Sequence, residues 1–467
     1  MQYISTRGEG KSLTFDEALL SGLARDGGLY IPQSIPTFTY DELITLRGKS
    51  FVEQVTDVMI RFTGDVIEYD ALYAIVKKAY SRFDHPAVAP LRQMKDNHWL
   101  LELYHGPTFS FKDYALQVVG GLFDYVLKKR NEKVLIVGAT SGDTGSAGIE
   151  AVRGSEYASI VITFPDGRVS DVQRKQMVTI DEPNVMNLSV KGTFDDCQDT
   201  VKALFNDHAF RDQYNLSAVN SINWARILVQ ISYYVATSIN LGAPDNELVF
   251  SVPTGNFGNI LAAWYAQQMG VPIKHLICAS NKNDILTRYF ETGRMVADGV
   301  EPTLSPSMDI QISSNFERMV YYAMNQNATG LKQAMEDFRK TGNVDFGADA
   351  YAMLASNFSG YRLDDEGILR IIKEEYGLSE FIIDPHTACA LYAAKEWLKD
   401  NRDFKGSLVT VSTAHPAKFG PAVEQAIGVE PPMPKGLLSV LNKPEKYTIV
   451  ENDFNDIKQI IENWINK

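Results

Sequence analysis

Apolar residues at positions 115, 118, 119, 122, 123, 126 and 127 recur at the spacing of a helix buried on one face, and predict a helix over Ser110 to Lys129. The residues before it, Trp99 to Tyr104, form a short apolar run of strand length. The same change of period repeats down the chain. β-Branched runs at Val134 to Ala139, Ala158 to Phe164, Val185 to Val190, Glu247 to Val252, His275 to Ala279 and Leu408 to Val411 predict strands. Helical periods cover Ser146 to Val152, Val169 to Val178, Thr193 to Asn206, Asn223 to Asn240 and Asn259 to Met269. Strands alternating with helices in this way predict an α/β fold, a mostly parallel sheet with helices on its faces.

Residues 1 to about 80 have a different texture. Helical patterns at Thr14 to Ala24, Tyr40 to Leu46, Ser50 to Thr63 and Ile67 to Ala79, with little strand character, predict an N-terminal helical domain over 1–80. A glycine turn at Asp26-Gly-Gly runs into an extended stretch closed by Pro32. Glu301 to Ser314, polar and with two prolines, reads as a long loop that is mobile or faces substrate.

Composition narrows the function classes. With 45 basic against 58 acidic residues, a net charge of −13 argues against nucleic acid or an anionic membrane as the main partner. Cys197, Cys278 and Cys389 are far apart, which suggests neither a disulfide framework nor a metal site. Met1 to Lys11 carries no apolar signal segment, so a cytoplasmic enzyme is expected.

The candidate chemistry lies in the turns between strands and helices, which in an open parallel sheet gather at one edge. Lys112, in His105-Gly-Pro-Thr-Phe-Ser-Phe-Lys-Asp113, falls in the first turn of a helix among aromatic neighbours. The positive end of the helix disfavours an ammonium there, and a neutral lysine can form a Schiff base. Gly138-Ala-Thr-Ser-Gly-Asp-Thr-Gly-Ser-Ala-Gly148 has small residues that let amides and hydroxyls approach an anion, yet it lacks the ending of a nucleotide P-loop, and Gly142, Gly145 and Gly148 do not fit the dinucleotide spacing. Pro253-Thr-Gly-Asn-Phe-Gly-Asn259 could nest a phosphate on backbone amides with no basic residue. Ser412 or Thr413, ending the strand from Leu408, could offer a neutral hydrogen bond to a heterocycle.

Taken together, these runs resemble threonine synthase in its longer, microbial and fungal form. Tyr3-Ile-Ser-Thr-Arg7, Asp26-Gly-Gly-Leu-Tyr30 and Ser221-Ile-Asn-Trp-Ala-Arg226 extend the resemblance over nearly the entire chain. It implies a fold of the tryptophan-synthase-β type (pyridoxal-phosphate fold type II). Two mostly parallel open sheets would then form two α/β subdomains within residues 81–467. It also implies the cofactor pyridoxal 5′-phosphate and the conversion of O-phospho-L-homoserine and water to L-threonine and phosphate. Lys112 would hold the cofactor and act as catalytic base at Cα and then Cβ. Gly255, Asn256, Phe257 and Asn259 would cradle its phosphate, with Gly258 supplying the turn, and Thr413 would face the pyridine nitrogen. For the substrate, Ser141, Thr144 and nearby amides would take the carboxylate, with Asp143 orienting that loop or meeting the amine. Arg174 or Lys175, and Asn223 with Arg226, are candidates for its phosphate. His105 is expected to order the loop before Lys112. Released phosphate would stay to orient the attacking water.

A phospholyase giving 2-oxobutyrate shares all but the last steps. Another lyase of the same fold type, a nucleotide-dependent oxidoreductase and a non-catalytic binding protein fit the residues less well. No metal and no macromolecular partner is expected, and the chain could be a monomer or a dimer.

Overall fold

The computed structural model describes residues 1–140 and 142–466. In chain order its strands are β1 (Tyr3–Ser5), β2 (Tyr30–Pro32), β3 (Leu91–Lys95), β4 (His98–Glu102), β5 (Val134–Ala139), β6 (Ala158–Pro165), β7 (Val185–Lys191), β8 (Leu248–Pro253), β9 (Ile273–Ser280), β10 (Arg294–Val296), β11 (Asn343–Asp345), β12 (Phe358–Arg362), β13 (Ser407–Ser412) and β14 (Thr448–Glu451). The larger sheet has the order β12-β9-β8-β13-β4-β3, parallel except where β3 meets β4. The smaller, β14-β7-β6-β5, is parallel throughout. The alternating pattern leads one to expect a mostly parallel sheet flanked by helices, and the resemblance two of them, as found.

The central strands were legible because helices cover both faces, so their sequences are apolar without interruption. Every residue of β8 and of β13 is buried. In the two large sheets the strands absent from the sequence reading lie at the rims: β3 and β14 carry mostly exposed or half-buried residues, and β12 is the short run Phe-Ser-Gly-Tyr-Arg; the separate ribbon β10–β11 was not foreseen either. Helix starts fall one residue later than the periodicity suggests at Ser50, Thr193 and Asn223. Each of these residues caps its helix, its side-chain oxygen accepting a backbone amide of the first turn.

The first 80 residues contain the expected helices and also the two-stranded ribbon β1–β2, a correction to their reading as helical with little strand character. Their apolar faces belong to the same core as the helix Trp224–Asn240. The rings of Tyr3 and Phe62 sit 5.8 and 5.9 Å from that of Trp224. Arg7 forms a buried two-pronged pair with Glu317, at 3.0 and 2.8 Å, which fastens the ribbon to the larger sheet's side of the molecule.

Two helices bring the chemistry together, Lys112–Arg130 after β4 and Asp143–Val152 after β5. Gly120 allows their contact, since a Cβ there would lie 2.2 Å from the Ala151 carbonyl oxygen. No helix among the described residues is long and apolar enough to cross a membrane.

Candidate active site

The carboxyl ends of β4, β5, β8 and β13 open on one cleft of about 2290 Å³, lined among others by Lys112, Asp143, Thr144, Gln173, Arg226, the turn 253–259, Ser307, His386 and Thr413. Lys112 is the first residue of its helix, as its sequence position predicts, and its side chain is only 12% exposed. Its loop is stitched to the end of β13. The Phe111 amide donates to the Thr413 carbonyl at 2.8 Å, and the His415 amide donates to the Phe109 carbonyl at 3.1 Å. Phe109 takes a left-handed φ of +60° in the turn. Asp113 is fully buried and accepts from both the amide and the hydroxyl of Thr108, each at 2.8 Å. Burial raises its pKa to about 6 against these bonds. His105 faces Glu102 at 2.9 Å and Asp84 at 3.1 Å and does not line the cleft, so it serves the loop.

Asp143 stands between two amines. Its Oδ2 is 3.2 Å from Lys112 Nζ, and its Oδ1 is 2.8 Å from Lys418 Nζ and accepts from Gln173 at 2.9 Å. Burial would raise the Asp143 pKa, but the adjacent charges of Lys418 and Lys112 overcome it and hold the carboxyl well below the usual range. For Lys112, burial depresses the amine's pKa, Lys418 and Arg226 push the same way, and Asp143 opposes them. The dominant cause is thus burial rather than the helix end on which the sequence argument rested. Lys418, whose side chain is fully enclosed, also donates to the Thr108 carbonyl at 2.7 Å.

The turn after β8 fits a phosphate. The Gly255 carbonyl accepts from Ser313 Oγ at 2.6 Å and the Asn256 carbonyl from the Asn315 amide at 3.1 Å, which turns both carbonyls toward the following loop. Among the described residues, no turn or loop hydrogen bond engages the amides of 255 to 259. Phe257, at φ +60°, starts the helix Gly258–Gln268. The Asn259 Oδ1 accepts the hydroxyls of Tyr233 and Tyr234 at 2.5 and 2.7 Å, leaving its buried Nδ2 with no partner. A dianion supplies what these donors lack.

At the end of β13 the two hydroxyls separate. Ser412 Oγ lies 2.8 Å from Thr387 Oγ1, away from the cleft, whereas Thr413 lines it.

The substrate candidates divide. Arg226 lines the cleft and is 3% exposed; among the described residues its guanidinium makes one hydrogen bond, from Nη1 to the Val219 carbonyl at 2.9 Å, while Nε has no partner. Burial lowers its pKa to about 10, so it remains charged at neutral pH. Two expectations are corrected. Arg174 does not line the cleft and is paired with Glu445 and with Asp171, while the neighbouring Lys175 bonds the Leu441 carbonyl. Asn223 spends both ends of its amide on structure, accepting from Ala225 and donating to the Leu19 carbonyl. Thr144 lines the cleft. The amides of Gly142 and Gly145 are taken by Thr140 Oγ1, at 3.0 and 2.9 Å, which leaves those of Asp143 and Thr144 at the start of the helix for an anion. Ser141 lies outside the described residues.

The sequence reading missed Gln173, His386 and Lys418. Gln173 and Lys418 meet Asp143 only through tertiary packing, and nothing local to them signals it. The loop 301–314 borders the cleft at Pro302, from Pro306 to Ile312 and at Ser314, in keeping with its reading as substrate-facing.

Three family models match the chain: "Threonine synthase N terminus" over residues 2–80, "Pyridoxal-phosphate dependent enzyme" over 85–414 and "Threonine synthase, C-terminal" over 387–461. Threonine synthase of Pseudomonas aeruginosa is 44% identical over 462 residues, covering 99% of this chain and 98% of that one. The Schizosaccharomyces pombe enzyme is 42% identical over 91% of this chain and 89% of its own. Among solved structures, pyridoxal-phosphate-bound threonine synthase from Brucella melitensis superposes with a TM-score of 0.96 at 45% identity, over 99% of both chains. The yeast enzyme gives 0.94 at 38% identity, over 100% of this chain and 99% of its own.

Proposed function

The chain belongs to the threonine synthase family, and from that premise we infer that it converts O-phospho-L-homoserine and water to L-threonine and inorganic phosphate, using pyridoxal 5′-phosphate. The observation that carries the residue assignments is the meeting in one cleft of Lys112, the unengaged amides of 255–259 with the unpartnered Asn259, and Thr413. In this reading Lys112 bonds the cofactor, Gly255, Asn256, Phe257 and Asn259 hold its phosphate, and Thr413 meets its ring nitrogen. Bound there, the group supplies an electron sink for charge developing at the substrate Cα. Thr413 is neutral and cannot hold a proton on the ring as a carboxylate would, which keeps that sink mild.

With the group bound, Lys112 would be the base at Cα and, once it has passed that proton on, at Cβ, so that phosphate can leave Cγ; the two protons removed are returned at Cγ and Cα, and water adds at Cβ. Thr144 and the helix start at Asp143 hold the substrate carboxylate. Arg226 receives the substrate phosphate, because a buried guanidinium with a single protein hydrogen bond is costly until an anion pairs with it. Kept there after cleavage, the phosphate orients the water that adds at Cβ. We assign residues 1–80 to an N-terminal domain and 81–467 to the catalytic region.

The test is a product assay on purified protein with O-phospho-L-homoserine, with borohydride reduction of the holoenzyme and peptide mapping. Threonine with equimolar phosphate, and the reduced label at Lys112, are expected. Phosphate with only 2-oxobutyrate would assign a phospholyase instead, and a label on another lysine would remove Lys112 from its role.

A further inference from the structure

Lys418 lies five residues after Thr413, in the short turn Pro416–Phe419, and its side-chain amine is enclosed beside the cleft without lining it. Nothing in the assigned chemistry uses it, yet burying a lysine completely costs several kcal/mol unless it is paired. Its partners are the Asp143 carboxylate at 2.8 Å and the Thr108 carbonyl at 2.7 Å. The same carboxylate is the counter-ion nearest Lys112, at the longer distance of 3.2 Å. Two amines therefore compete for one negative charge in a place where water does not screen them.

The charges facing Lys112 sum to an excess of cations. Asp143 approaches from its own helix, Lys418 from the turn after β13, and Arg226 from the helix Trp224–Asn240, while Gln173, on the helix Asp171–Val178, is neutral. With both lysines protonated the cluster carries an uncompensated positive charge, and the least costly relief is loss of a proton from the amine with fewest acceptors. That amine is Lys112, which among the described residues has one acceptor, Asp143, and has a path to solvent through the cleft. Resting on the assignment of Lys112 as the reacting lysine, we propose that Lys418 is a positioning residue that occupies Asp143 and so leaves Lys112 as a neutral amine. Asp143 alone would do the opposite and hold Lys112 as an ammonium, which is neither nucleophile nor base. The burial-driven fall of the Lys112 pKa, reinforced by Lys418, agrees with this geometry.

The proposal is tested by competitive acetylation of the full chain without cofactor, measured across pH with peptide mass spectrometry. Only the neutral amine is acetylated, so the inflexion for Lys112 reports its own protonation, with the exposed Lys443 as internal reference. Lys418→Met should raise the Lys112 inflexion by about one unit or more, a loss of roughly tenfold in its reactivity at pH 7. Lys418→Arg should stay near the wild type. Adding Asp143→Asn to Lys418→Met should bring the inflexion back down, a rescue that a merely structural role of Lys418 does not predict. An unmoved inflexion in folded Lys418→Met, or no recovery in the double variant, overturns the proposal. If Lys418→Met does not fold, Lys418→Gln, which keeps a donor for the Thr108 carbonyl and removes the charge, takes its place with the same expected rise and the same recovery on adding Asp143→Asn. Failure of the borohydride label at Lys112 would instead overturn the cofactor assignment, so the two failures are distinguishable.

Discussion

The amide of Phe111 donates to the carbonyl of Thr413 at 2.8 Å, so the neighbour of Lys112, the lysine proposed to hold the cofactor, and Thr413, proposed to face its ring nitrogen, are held by one backbone hydrogen bond. Backbone fixes the spacing, and the Thr413 side chain is left free to act. Thr413→Val keeps the bond and the shape and removes only the hydroxyl. A hydrogen bond of ordinary strength to the cofactor predicts a loss of kcat of about tenfold, with melting temperature little changed. Unchanged kcat would mean that Thr413 does not meet the ring.

Gly255 has no room for a side chain, because a Cβ would lie 2.5 Å from the Ser307 carbonyl and 3.1 Å from Ile310 Cδ1. Both are on the loop that covers the turn 253–259, the proposed phosphate site. Gly255→Ala must push that loop away, at a cost of about 1–3 kcal/mol. Titrating cofactor into the apoprotein should show affinity weakened by about tenfold or more. Wild-type affinity would show that the loop gives way freely and that the turn is not shaped by it.

How far the sequence carries the site depends on where each residue finds its partners. The turn 255–259 was readable because its amides, its glycines and the helix that follows are contiguous. Lys112 could be placed on its helix but not shown to be buried, since the groups that enclose it come from β13 and from the Asp143 helix. Lys418 was unreadable for the same reason: its meaning is a contact with Asp143, which lies in the other sheet's connection. Arg174 misled because one helix offers several outward directions, and periodicity alone did not reveal that its guanidinium turns to Glu445. The rim strands β12 and β14 are held by pairing with β9 and β7 rather than by their own apolar pattern.

Arg226 and Arg174 make a matched pair of arginines for locating the substrate phosphate. Arg226→Gln should raise KM for O-phospho-L-homoserine by about tenfold to a hundredfold and weaken inhibition by inorganic phosphate in parallel, as expected for loss of a charge-assisted contact. Arg174→Gln removes partly exposed ion pairs worth about 0–1 kcal/mol and should leave both constants near the wild type. Steady-state kinetics with phosphate as inhibitor decides. The reverse ranking would return the phosphate site to Arg174.

Asp113 sets a pH dependence that its neighbour Asp143 does not mask. Burial raises the folded-state pKa of Asp113 to about 6 from the ordinary 3.8, so between these values the folded chain binds the proton more tightly than the unfolded chain. Its contribution therefore falls as pH rises through that window, by on the order of 3 kcal/mol at most. Asp143 is depressed in the folded state, so its stabilisation is lost only as pH falls below the ordinary carboxylate range, outside the window. Asp113→Asn keeps an acceptor for the Thr108 amide and a donor for its hydroxyl, and it cannot ionise. Denaturant unfolding at pH 4 and pH 7 should show the difference between variant and wild type moving in the variant's favour by about 1–3 kcal/mol as pH rises. A difference that is constant with pH, or that moves against the variant, would show that Asp113 is ionised at both pH values and that burial does not control it.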